Sequence, residues 1–169
     1  MPYSYAAHYN KTIDLIRTTF DPKTSYILDI GVGAGIYRDL LPDYNIDGIE
    51  IYKKYINDFK LESRYNHIFN EDAVNFNYNK KYCLAIMGDV LEHLKISDAK
   101  LILNKLVENE ISIIVQVPYL YEQGEYDGNT HEIHIQPDLT HEVFIKRYSE
   151  YNFKLLCKDN VCGVYYLIL

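Results

Sequence analysis

Short apolar runs alternate along this chain with amphipathic stretches of helical period, which is the signature of βαβ units and a parallel sheet. Two runs set the constraint. Tyr82 to Met87 is almost wholly apolar and Ile111 to Val117 is dominated by apolar residues, as expected of strands covered on both faces. Around them the spacing predicts a helix over 9–20, with Ile13, Ile16 and Phe20 on one side, and strands at 25–30, 45–51 and 67–69. Further helices are predicted over 34–41, 52–59 and 139–148, and one capped by Ser97 runs to about Glu108. Phe153 to Cys157 and Val161 to Leu169 read as a closing antiparallel pair turned at Lys158-Asp159-Asn160. The stretch from Pro118 to Asp138 is polar, with prolines, glycines, carboxylates and two histidines. A loop that long in a compact domain is usually functional.

Length and charge narrow the class. Residues 1–169 are read as one α/β domain, with 1–23 as an N-terminal helical cap and 118–138 as a long substrate-side loop. The formal charge is −7, from 17 basic and 24 acidic residues. Such a chain lacks the broad basic surface that grips a phosphate backbone, which argues against nucleic acid as the partner. A hydrophobic content of 48% excludes disorder. No apolar run approaches the ~20 residues of a membrane span. Met1-Pro2-Tyr3-Ser4 has no feature of a secretory signal, and Cys83, Cys157 and Cys162 are an odd set without a C-x-x-C. A cytoplasmic protein with reduced thiols is the expectation. The 18 tyrosines fit either codon bias in an AT-rich genome or an aromatic pocket lining.

The strongest local motif is Ile27-Leu28-Asp29-Ile30-Gly31-Val32-Gly33-Ala34-Gly35, closing a strand and opening a helix. Glycines there let the backbone turn tightly and approach a ligand, and the helix N-terminus adds N–H donors. Glu50 follows at the tip of the second strand, where an acidic side chain can accept bonds from both hydroxyls of a ribose. A dinucleotide fingerprint requires G-x-G-x-x-G, and Ile36 stands where its third glycine belongs. Asp29 would repel a pyrophosphate but could accept a bond from a cationic amino group. Both features favour S-adenosylmethionine, which carries an ammonium and no phosphate.

With these residues the sequence resembles the class I S-adenosylmethionine-dependent methyltransferases over about Ser25 to Val117. The resemblance implies a Rossmann-like, doubly wound, mostly parallel sheet with one antiparallel strand at the C-terminus. It implies that Leu28 to Gly35, with Asp29, Gly31, Gly33 and Gly35, forms the cofactor loop, and that Gly48-Ile49-Glu50-Ile51 holds the ribose. Glu71-Asp72-Ala73 matches the segment bracketing adenine, which implies Asp72 at the exocyclic amine and Ala73 at the ring or its neighbouring backbone. Met87-Gly88-Asp89-Val90-Leu91-Glu92-His93-Leu94 matches the segment beside the methionine moiety. The short Asn- and Lys-rich stretch between Asp72 and Tyr82 predicts that the usual helix there is missing or reduced.

Methyl transfer from a sulfonium needs alignment above all, and a base where the nucleophile is a hydroxyl. Asp89, Glu92 and His93 after the fourth strand, and His131, Glu132 and His134 on the long loop, are the polar candidates; His93, Glu132 and His134 are taken as the catalytic set. If 131–134 is extended, Glu132 and His134 share a face. With His141 the loop histidines could hold a metal, but the spacing is not diagnostic and no metal ligands are assigned. The fourth-strand motif lacks the Pro-Pro-aromatic pattern of DNA adenine methylation, and no cysteine follows a proline as cytosine C5 chemistry requires. A small-molecule or glycan-type acceptor methylated on a hydroxyl or amine is the resulting expectation. A non-catalytic partner subunit and an NAD(P) enzyme are the alternatives; the chain has no Tyr-x-x-x-Lys pair for the latter.

Overall fold

The computed structural model describes residues 5–79 and 81–169. The expected N-terminal cap therefore lies partly outside the described residues, as does the whole of Met1 to Ser4. A 3-10 turn at Ala6–His8 leads into α1 (Tyr9–Thr19), which buries Thr12 and Ile16 one turn apart. The chain then alternates β1 (Tyr26–Ile30), α2 (Ile36–Leu40), β2 (Asn45–Ile49), α3 (Lys53–Asp58) and β3 (His67–Phe69). There follow β4 (Leu84–Gly88), α4 (Ile96–Glu108), β5 (Ser112–Pro118), α5 (His141–Arg147), β6 (Lys154–Lys158) and β7 (Cys162–Leu167). No helix among the described residues is long and apolar enough to cross a membrane.

The seven strands form one sheet in the order β3-β2-β1-β4-β5-β7-β6. The first five pair in parallel, and β7 inserts antiparallel between β5 and β6. Both faces are covered, so the period-2 alternation of β5 sends Ile113, Val115 and Val117 into one core and Ile114 into the other. α4 seals the first face with Ala99, Ile102, Leu103 and Leu106, an i, i+3, i+4, i+7 stripe. Ser97 does not cap α4: it lies inside the helix, where its hydroxyl donates to Asp98 at 3.1 Å. α5 is capped instead by Thr140, whose Oγ1 accepts the Val143 N–H at 3.2 Å, so the helix begins after Leu139.

No helix forms among the described residues between β3 and β4. Asn75, Asn77 and Asn79 alternate there with Phe76 and Tyr78. Both rings are buried, and Phe69, Phe76 and Tyr78 form an edge-to-face chain at 4.9 and 5.1 Å. Lys105 on α4 donates to the Val74 carbonyl at 2.7 Å, fixing the segment as the outer wall of that layer.

Candidate active site

The sheet's connections reverse between β1 and β4, and the crevice at the carboxyl ends of these strands is where an open α/β sheet binds ligands. After β1 the chain turns through Gly31, Gly33 and Gly35, with φ of 69°, 53° and 77°. A Cβ at Gly31 would lie 2.6 Å from a Val90 methyl, so the turn presses on the segment after β4. The amides of Gly31 and Val32 donate to the Ile49 carbonyl (2.9 and 3.2 Å), and that of Gly35 to Val32 (2.9 Å). Gly33 donates to Glu50 Oε2 at 2.9 Å, while Glu50 Oε1 accepts the Tyr52 N–H at 2.8 Å. These four turn amides are spent within the fold rather than aimed outward. The helix that follows is only five residues long, too short for the N-terminal field that the sequence suggested.

Two buried carboxylates flank the turn. Asp29 is 2% exposed, and burial pushes its carboxyl up to about 7 although the Tyr65 hydroxyl donates to it at 2.6 Å. Glu50 is raised by burial too, with its two backbone bonds pulling the other way. Both line a cavity of about 170 Å³ with Gly31, Gly33, Ile51, Asp72, Ala73 and Asp89. Asp72 accepts the Val74 N–H at 2.9 Å; Asp89, at φ 55°, accepts from Gln116 Nε2 at 3.3 Å and from the Tyr5 N–H at 3.3 Å. Gly35 does not line this cavity: the Arg64 guanidinium sits against it and donates to its carbonyl at 2.9 Å.

The long loop is pinned over the crevice. Tyr52 donates to the Asp127 carbonyl at 2.9 Å, Lys54 pairs with the Asp127 carboxylate at 2.9 Å, and the Tyr55 hydroxyl donates to Glu132 Oε1 at 2.8 Å. Glu132 also accepts from Gln123 Nε2 at 3.0 Å. Thr130–Glu132 forms a 3-10 turn whose first amides are organised by Asn129, and Asn129, His131 and Glu132 roof the cavity. That turn separates residues that an extended segment would bring to one face. Glu132 looks into the first cavity, and His134 lines a second. His141 is elsewhere, stacked on Tyr165 at 5.8 Å.

The second cavity, of about 420 Å³, adjoins the first through Asp89 and His93, which line both. Its wall includes Glu92, His134, Tyr119, Tyr121 and Gln123. Glu92 follows β4 in a 3-10 turn (Leu91–His93) and is 0% exposed. Its carboxylate oxygens have no hydrogen-bond partner among the described residues; Oε1 lies 3.8 Å from His93 Nε2 and 4.0 Å from His134 Nε2. Burial, reinforced by Asp89, holds the Glu92 carboxyl well above its usual range. Burial, with His134 adjacent, pushes His93 down to about 4, and burial also lowers His134. Of the three residues taken as catalytic, His93 and His134 meet, with rings 4.6 Å apart, and Glu132 lines the first cavity with His93 while bonded to Tyr55 and Gln123. The partner they do have, Glu92, is named by sequence only among several polar candidates, and its complete burial is a tertiary property. Tyr37 and Tyr55, which also line the first cavity, carry no local motif; the tyrosine excess was their one trace.

No family model matches the chain, and no curated protein sequence matches it. Solved structures do. A methyltransferase from Clostridium acetobutylicum, described as S-adenosylmethionine-dependent, superposes with a TM-score of 0.62 at 16% identity, covering 95% of this chain and 98% of that one. The magnesium protoporphyrin IX methyltransferase ChlM of Synechocystis PCC 6803, solved with bound SAM, gives 0.65 at 12% identity over 93% and 76%. The 1,6-didemethyltoxoflavin-N1-methyltransferase of Burkholderia thailandensis, solved with bound 1,6-didemethyltoxoflavin and S-adenosylhomocysteine, gives 0.66 at 11% over 97% and 79%. Together with the strand order and the inserted β7, these likenesses identify the architecture: the chain has the Rossmann-like fold of the class I S-adenosylmethionine-dependent methyltransferases.

Proposed function

We propose that the chain is an S-adenosylmethionine-dependent methyltransferase acting on a hydroxyl of a small polar or sugar-like acceptor. One observation carries this reading: two buried carboxylates, Asp29 and Glu50, line one crevice around a glycine turn whose amides are already bonded inside the fold. Such a crevice suits a cationic, phosphate-free nucleoside and repels a pyrophosphate. Asp29 meets the cofactor ammonium and Glu50 both ribose hydroxyls. Ile51, Asp72 and Ala73 flank the adenine, Gly31 and Gly33 pass beside the ligand, and Asp89 borders the methionine moiety. Structural neighbours with bound S-adenosylmethionine or S-adenosylhomocysteine support the same choice of cofactor.

The acceptor occupies the second cavity. Its oxygen attacks the methyl carbon as the carbon–sulfur bond breaks, and the bonding pair stays on sulfur. The products are a methyl ether, S-adenosylhomocysteine and one proton, which leaves past His93 and His134. Glu132 acts through the loop, by holding Tyr55, rather than on the acceptor. The test is a binding titration. Ligand at 100 times its dissociation constant adds about 2.7 kcal/mol of stability, so S-adenosylhomocysteine is expected to raise the melting temperature and NAD to leave it unchanged. Stabilisation by NAD alone overturns the reading.

Two further results are expected. The Asp29 carboxyl ionises near 7 in the folded chain and near 4 when unfolded. Between those values the folded state holds a proton that the unfolded state has lost, so this group's contribution to stability declines as pH rises through the window and is level above it. Cofactor binding needs the ionised form. Affinity for S-adenosylhomocysteine should therefore plateau above pH 7 and weaken about tenfold per unit below it; calorimetry on the wild type and Asp29→Asn checks this, and the variant should show a flat profile. Removing the hydroxyl in Tyr55→Phe deletes a bond to a carboxylate. S-adenosylhomocysteine should dissociate about tenfold faster, as read by surface plasmon resonance. An unchanged off-rate means that the loop is not the barrier.

A further inference from the structure

We propose that Glu92, His93 and His134 bind a divalent transition-metal ion at the boundary of the two cavities, with its open coordination positions facing the second. Three side chains converge there with acceptors only. The Nδ1 of His134 lies 2.7 Å from the Tyr121 carbonyl and that of His93 lies 3.3 Å from the Ile133 carbonyl. A carbonyl can only accept, so each Nδ1 carries the ring hydrogen and each Nε2 presents a lone pair. Both Nε2 atoms lie toward Glu92 Oε1, at 3.8 and 4.0 Å, beyond hydrogen-bond reach. The carboxylate is fully buried and has no donor among the described residues. A metal cation satisfies two imidazole lone pairs and a buried carboxylate at once.

The geometry is near what a metal demands. One ligand atom from each side chain lies within 4.8 Å of the others. Bonds of about 2.1 Å place neighbouring ligand atoms roughly 3.0–3.4 Å apart, so each must move inward by only a few tenths of an ångström. The backbone holding them is already fixed. The Glu92 carbonyl accepts the amides of Ile135 and Gln136 at 2.8 and 2.9 Å, and Gln136 Nε2 donates to the carbonyls of Leu91 and Leu94 at 2.7 and 2.9 Å. These four bonds tie the loop carrying His134 to the turn carrying Glu92 and His93. Imidazole nitrogens beside a carboxylate select zinc, iron, manganese or cobalt over calcium and magnesium, which prefer oxygen alone. Resting on the methyltransferase reading, the ion's role is to take the acceptor's oxygen into an open position and lower the pKa of its hydroxyl.

The test uses the full chain, stripped with a chelator and dialysed, then titrated with Co²⁺ and Zn²⁺ by calorimetry and visible absorption. One equivalent is expected, with the ligand-field spectrum of a mixed nitrogen and oxygen site. Glu92→Gln and His134→Asn should each weaken binding at least about tenfold. The spectrum should change in both variants, their melting curves showing that they remain folded. Uptake well below one equivalent, or wild-type affinity in both variants, overturns the site; the cluster is then a carboxylic acid among neutral imidazoles. S-adenosylhomocysteine is titrated in parallel. Metal uptake without nucleoside binding leaves the metal site standing and removes the methyltransferase reading; the converse removes only the metal.

Discussion

Glu50→Ala is expected to weaken S-adenosylhomocysteine binding about a hundredfold. Each hydrogen bond from a ribose hydroxyl to a carboxylate contributes roughly 1.5 kcal/mol or more, and two such bonds amount to about two decades in affinity. The same carboxylate accepts the amides of Gly33 and Tyr52, so its removal also loosens the turn that shapes the crevice. Calorimetry measures the first effect and a thermal melt without ligand the second. Glu50→Gln separates them, since an amide oxygen keeps one backbone acceptor while losing the charge. Affinity within threefold of wild type in the alanine variant would place the nucleoside elsewhere.

Phe144→Ala is expected to cost about 3–5 kcal/mol of stability, lowering the melting temperature by roughly 10 °C. Phe144 is 0% exposed and stacks on Tyr165 with ring centroids 3.9 Å apart, with Tyr148 at 5.1 Å and Phe153 at 5.6 Å. The ring joins α5 to β7, the strand inserted antiparallel between β5 and β6. The loss reaches the site through Gln136, whose side-chain oxygen accepts from Arg147 at 2.9 Å and from the Tyr148 hydroxyl at 3.0 Å. Faster amide exchange over residues 131–138 should accompany the lower melting point. A variant melting within about 2 °C of wild type shows that the stack is not a structural centre.

What the sequence revealed and what it hid divide along a physical line. Strands buried on both faces write themselves as apolar runs, so β4 and β5 were legible to within a residue or two. The glycine turn and Glu50 were legible because backbone conformation and strand-tip chemistry are local demands. Ser97 misled because a good capping residue adopts that role only where the chain enters the helix, and here the entry is two residues earlier. The 3-10 turn at Thr130–Glu132 breaks the alternation on which the pairing of Glu132 with His134 depended. Gly35 faces away because Arg64, distant in sequence, occupies the space beside it. Glu92 reads in sequence as an ordinary acidic residue at the start of a helical turn; only the packing of the long loop against it makes it a buried group beside two histidines, with no hydrogen bond to its carboxyl among the described residues.

One stretch of backbone both roofs the first cavity at Asn129–Glu132 and supplies His134 to the second. Between the two lie fewer than three residues, too few to act as a slack joint. Prising the roof away from Tyr55 must pull on the histidine beyond it. A ligand that displaces the roof of one cavity is therefore expected to shift the wall of the other.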